Sequence, residues 1–193
     1  MSTVTHDQDN SRTDKGWYSR GYLPHFDGTG IVQTVVFRLH DSVPLHLRQQ
    51  PTPREVERAF DAVLDSGFGA CWLQDPQIAD ITERALLHFD GERCRLIAWC
   101  VTPNYVHAML ETLAGYSLPA VVHSWKSFTA TVANRLLART GPFWAREFFD
   151  RYVRDDRHFT AARNYIEDNP VKAGLATRPG DWRWSSARHR LRE

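Results

Sequence analysis

The sequence predicts an α+β protein, an antiparallel sheet with helices packed on one face. Three observations carry this. Ile31-Val-Gln-Thr-Val-Val-Phe-Arg-Leu39 is rich in β-branched residues, as a buried strand is. Two strand-like runs, Cys94–Val101 and Val106–Leu110, are joined by Thr102-Pro103-Asn104, too short a connection for a crossover helix. Segments with helical spacing of apolar residues separate the other strands, in the order strand, helices, strand, strand, helix, strand, helix.

Along the chain, residues 1–15 are polar and read as a disordered leader. The aromatic, Gly/Pro-punctuated stretch from Gly16 to Phe26 reads as an ordered arm, and residues 16–188 as one domain including that arm. Thr52-Pro53-Arg54-Glu55 is a capping box with proline at the first helical position, so a helix is expected to about Ser66. Asp75-Pro76 repeats that logic, with Ile78, Ile81, Ala85, Leu86 and Phe89 on one face up to Asp90. A third helix is expected from about Leu118 to Arg139, with Leu118, Val121, Val122, Trp125, Phe128, Val132 and Leu136 at helical spacing. Phe148–Val153 is strand-like. Asp155 and Asp156 then cap a helix that Asn169-Pro170 is expected to end, because a residue before proline is biased out of the α region. Residues 189–193 form a basic tail.

Composition excludes several classes. No apolar run approaches the ~20 residues of a membrane span, and the N-terminus lacks a signal-peptide core, so a cytoplasmic protein is expected. Cys71, Cys94 and Cys100 form neither a disulfide framework nor a zinc pattern and read as small buried hydrophobes. The net charge of +1 hides an asymmetry: 10 basic and 15 acidic residues up to Val122, then 14 basic and 8 acidic. The basic C-terminal part hints at an anionic partner.

Two places carry candidate chemistry. In the strand around Tyr105-Val106-His107-Ala108-Met109-Leu110, alternation puts Tyr105, His107 and Met109 on one face. If Val106, Ala108 and Leu110 pack under the helices, His107 lies on the open face; an ordinary hydrogen-bonded histidine on a half-buried strand is the simpler alternative. In the last helix, Tyr165 and Asn169 are four apart and share a face. A phenol can act as a nucleophile, and an amide oxygen one turn away is a hard ligand. An amphipathic tyrosine beside a helix-terminating asparagine accounts for the same spacing.

Taken together, PNYVHAML, SWKSFTA, GPFWAREFFDRYVRDDRHF and YIEDNPVKAGL with RPGDWRWSSA resemble the REP-associated tyrosine transposases of the single-tyrosine HUH (histidine, hydrophobic residue, histidine) nuclease superfamily. WYSRGYLPHFDGTG is similar to the arm of one subgroup, so the resemblance spans roughly residues 16–188. It implies a ferredoxin-like, HUH nuclease fold that binds single-stranded or hairpin DNA with REP-like palindromes. It implies Tyr165 as the nucleophile, forming a 5′-phosphotyrosine link and freeing a 3′-hydroxyl, with rejoining of the strand afterwards. It places Mg²⁺ or Mn²⁺ on His107, the second histidine of the pair, and on Asn169. Tyr105 departs from the pattern by standing where the first histidine belongs. A neutral phenol is a poor ligand, since its unperturbed pKa is near 10. The implied activity is therefore a single-strand DNA endonuclease and transposase. The alternative is a catalytically impaired or domesticated DNA-binding derivative, and a more distant one an unrelated ferredoxin-like RNA-binding module. A monomer is expected rather than a dimer.

Further DNA contacts are candidates at Trp182, Trp184, Arg183 and Arg188, where rings stack on bases and guanidinium groups meet phosphates, and at Lys126 on the third helix with His123 and Arg135. A hydrophobic anchor with a solvated basic tail is the alternative for the former, and a solvated helix face for the latter. Trp99, Trp125 and Trp144 are assigned to the core, and His25 to a turn or surface position without a named partner.

Overall fold

A computed structural model describes residues 16–19, 24–44 and 66–190. The predicted leader, the helix beginning at Pro53, and residues 191–193 of the tail lie outside the described residues.

The arm forms a hairpin, β1 (Gly16–Ser19) paired antiparallel with β2 (Pro24–Asp27). The main sheet holds β3 (Val32–Arg38), β4 (Cys94–Val101), β5 (Tyr105–Thr112) and β6 (Phe149–Tyr152). Its order is β4-β5-β3-β6 with every neighbour antiparallel. Helix α1 (Pro76–His88) links β3's half of the fold to β4, and α2 (Leu118–Leu136) links β5 to β6. This is the ferredoxin-like arrangement expected from the sequence. The cap reading holds in detail: the Asp75 carboxylate accepts from Gln77 N at 2.8 Å, and the Asp155 carboxylate from His158 N at 2.7 Å at the start of α3 (Asp156–Lys172).

Alternation along β3 and β5 divides the molecule into two layers of packing. Val35, Phe37, Val106, Ala108 and Leu110 share one buried cluster with Ile78, Leu86, Val121, Val122 and Trp125, so α1 and α2 cover that face. The other face is not left open. Ala98, Cys100 and Met109 pack with Ile166, which lays α3 across it. Helices thus lie on both faces, because α3 is amphipathic and its Phe159, Ala162 and Ile166 must also bury.

A second difference concerns the end of α3. The expected stop at Asn169-Pro170 does not occur, and the helix runs on to Lys172 with Pro170 inside it. Proline removes one intrahelical donor, a cost of about 3 kcal/mol in a helix interior. Here it falls in the last turn, where the following backbone closes the helix. Ala173 N donates to Asn169 O at 2.9 Å and Leu175 N to Pro170 O at 2.8 Å. The bias on the residue before proline is overridden by the burial of Asn169 and Pro170.

The segment after α3 straps this layer in place. Trp184 O accepts from Val101 N at 2.9 Å, and Trp99 O from Ser186 N at 3.0 Å, along the outer edge of β4. Ser186 Oγ and Arg190 Nε both donate to Glu167 Oε1 on α3, at 2.8 and 2.6 Å.

Candidate functional site

The three-residue turn after β4 sets where β5 begins. Thr102 Oγ1 donates to Tyr105 O at 2.9 Å, and Tyr105 N donates back to that hydroxyl at 3.3 Å. The register then pairs Tyr105 with Arg38, and His107 with both Val36 and Cys100. Tyr105 and His107 therefore project from the central strands onto the face roofed by α3, on the side the alternation predicted.

From α3, Tyr165 and Asn169 project down onto the same place. The rings of Tyr105 and His107 meet edge-on with centroids 5.3 Å apart, and those of His107 and Tyr165 lie 5.7 Å apart, inclined by 35°. Tyr105 Oη donates to Asn169 Oδ1 at 2.6 Å in a buried hydrogen bond. The structure thus brings together all four residues singled out from two separate segments, although nothing in their local spacing required them to meet.

His107 is the unusual member. It is 5% exposed, and neither Nδ1 nor Nε2 has a hydrogen-bond partner among the described residues. Burial pushes its pKa down to about 4, and the positive charge of Lys172 adds to that fall. The imidazole is therefore neutral at physiological pH, with one bare lone pair and one unused N–H. A buried polar group without a partner costs about 1–3 kcal/mol.

Lys172 is the functional candidate that sequence reasoning missed. Its Nζ lies 3.9 Å from the centroid of the Tyr165 ring. The signal was present: seven residues from Tyr165 is two helical turns, which returns to the same face.

A divalent cation fits these groups poorly. The side chains that meet here supply one imidazole, one amide oxygen and phenol groups. No group of three His, Cys, Asp or Glu able to hold a metal occurs among the described residues. The Asn169 oxygen accepts a hydrogen bond from the Tyr105 hydroxyl, and the positive charge of Lys172 acts on His107. Mg²⁺ favours several hard oxygens, usually including a carboxylate, and a neighbouring fixed positive charge opposes it.

The structure gives two of the outlying candidates, Trp184 and Lys126, other partners. Trp184 is buried in the core and its Nε1 donates to Asp80 Oδ1 at 2.7 Å; Trp182 Nε1 donates to Val101 O at 2.9 Å. These rings anchor the C-terminal strap to α1 and β4, and Trp184 offers no face for a base. Arg183 pairs with Asp80 at 3.0 Å. Arg188 is half-buried on the short helix α4 (Ala187–Arg190). Lys126 Nζ donates to the carbonyls of Ala145 and Arg146 at 2.8 and 2.9 Å, and burial lowers its pKa to about 8. It ties α2 to the loop before β6 instead of facing solvent. His25 is not a surface residue either. It is buried, with Nδ1 bonded to Asp150 and Nε2 3.5 Å from Glu147. Among the described residues no helix is long and apolar enough to cross a membrane.

Parts of this chain are similar to known proteins. Residues 77–169 match the family model described as Transposase IS200 like, a span that contains Tyr105, His107, Tyr165 and Asn169. A Haemophilus influenzae protein named as a REP-associated tyrosine transposase is 28% identical over 101 residues, covering 47% of this chain and 57% of the relative. The match therefore spans little more than half the length of that relative. A solved structure of a REP-associated tyrosine transposase bound to a REP hairpin aligns over 88% of this chain and 84% of its own, with a TM-score of 0.58 and 14% identity, which is a likeness of fold. The chain is thus similar over residues 77–169 to the IS200-like transposases, and in fold to a REP-associated tyrosine transposase.

Proposed function

We propose that this protein binds hairpin DNA with a single-stranded component and cleaves and rejoins one strand through Tyr165. The observation that carries the reading is the meeting of Tyr165 with a buried histidine whose two ring nitrogens have no partner. The fold shared with a hairpin-bound protein supports the choice of DNA. In the proposed step Tyr165 Oη attacks the phosphorus of a phosphodiester. The Oη–P bond forms and the P–O3′ bond breaks. The phenolic proton leaves to water, which the half-exposed position of Tyr165 admits, and the departing 3′ oxygen takes a proton in return. The 5′-phosphotyrosine link retains the phosphoester bond, so a 3′-hydroxyl can reverse the step without a nucleotide cofactor.

The test uses the full chain with end-labelled single-stranded hairpin oligonucleotides carrying REP-like palindromes. A covalent adduct on a denaturing gel is expected for the wild type and is absent for Tyr165→Phe, which still binds the hairpin. Cleavage without an adduct, or an adduct that survives Tyr165→Phe, removes Tyr165 from the mechanism.

The hydrogen bond between Tyr105 and Asn169 favours a second reading, a DNA-binding derivative whose cleavage is impaired. There, Tyr105→His would be needed before Mn²⁺ supports any adduct. An equal adduct yield from wild type and Tyr105→His rejects that reading.

A further inference from the structure

We propose that Lys172 is the phosphate-binding cation of this site, so that the protein holds the phosphodiester with an ammonium group in place of a divalent ion. The inference rests on the reading of Tyr165 as nucleophile and names the residue that receives the substrate beside it.

Four observations support it. Lys172 stands two turns beyond Tyr165 on α3, on the same face, with its Nζ over the ring. A lysine at a helix C-terminus can simply complement the dipole or cap the last carbonyls. Here the carbonyls of Asn169, Pro170 and Val171 already accept from Ala173, Leu175 and Gly174 N, so the ammonium is not required for capping. No ion pair of Lys172 with a carboxylate occurs among those of the described residues, and the side chain is exposed. Finally, the corner it shares with His107 contains an unused imidazole N–H, a second donor that an anion can use and a cation cannot.

In the cleavage step Lys172 keeps its proton throughout. It neutralises charge on the nonbridging oxygens as the bond to Tyr165 Oη forms and the bond to O3′ breaks, which is electrostatic stabilisation by a placed charge. It also places a positive charge beside the phenol as the hydroxyl loses its proton.

The experiment separates binding from chemistry. In a Tyr165→Phe background, where no strand is cut, hairpin affinity is measured in EDTA across a range of salt concentrations. Lys172→Met is expected to reduce the slope of log affinity against log salt by about 0.7–1, the loss of one phosphate contact, and Lys172→Arg to preserve it. With Tyr165 restored, Lys172→Met is expected to slow adduct formation in EDTA at least ~10-fold, with no recovery on adding Mn²⁺. An unchanged slope, or an adduct forming at the wild-type rate with Lys172→Met, overturns the proposal. If the wild type binds the hairpin but forms no adduct in EDTA or Mn²⁺, the nucleophile reading fails, while the salt slope still decides the role of Lys172.

Discussion

His25 and His107 are both buried in this small domain, and they are treated in opposite ways. His25 comes from the arm hairpin and meets Asp150 on β6, whose carboxylate also accepts from Phe26 N at 3.0 Å. Glu147 approaches its other nitrogen, and the Phe148 ring lies 4.7 Å away, centroid to centroid. Burial alone would lower its pKa, but the hydrogen bond and charge of Asp150, with Glu147, outweigh that and raise it. His107 has the same burial and none of these partners. The first histidine is a rivet that closes the arm onto the sheet. The second is a polar group held without a partner among the described residues, which folding alone does not favour. Identity and burial do not distinguish the two histidines; the partners do.

Asp150→Ala should break the satisfied half of this contrast. It strips the buried His25 of its main partner, a loss of about 3–5 kcal/mol for a buried pair, and a fall in Tm of roughly 10 °C for a domain of this size. Thermal melts check it, and a change under 1 kcal/mol would mean that the arm is not fastened through Asp150.

The two histidines should also respond to pH with opposite signs. The His25 contribution is complete below its unfolded pKa and is lost as pH rises through the raised folded value. His107 binds its proton more readily when unfolded. Its neutral burial is therefore tolerated above pH 6.5, and stability is lost as pH falls towards about 4, by on the order of 3 kcal/mol in full. His107→Leu should remove that acid-side loss in urea melts. At neutral pH it should leave stability unchanged or raise it by about 1–2 kcal/mol, because the unpaired polar group is gone. A His107→Leu protein that is markedly less stable at pH 7 would show that the imidazole has partners after all.

The smallest effect concerns Tyr105, which sits beside His107 and is satisfied where its neighbour is not. Tyr105→Phe removes the hydrogen bond to Asn169 and should cost about 1 kcal/mol in denaturant melts. A larger cost would make this bond a main fastening of α3, a part the structure gives to Glu167 with Ser186 and Arg190.

Local patterns determined much of this protein. The β-branched run at β3, the period of two at β5 and the Asp-Pro cap of α1 are effects of nearest neighbours along the chain, and each element appears where its pattern placed it. The pairing of Tyr165 with Asn169 on one helical face is of the same kind. Other properties follow from contacts between segments far apart in sequence. Asp150 lies 125 positions from His25, and no local signal joins them. Trp184 and Lys126 have the composition of DNA contacts, but burial against Asp80 and against the carbonyls of residues 145 and 146 turned them into fastenings. Only the tertiary structure decided that α3 covers the predicted open face, that His107 goes unpaired beneath it, and that Lys172 reaches back over Tyr165. The reason is physical: helical and strand periods are set by backbone geometry within a few residues. Which polar groups find partners depends on how the packed layers bring distant segments together.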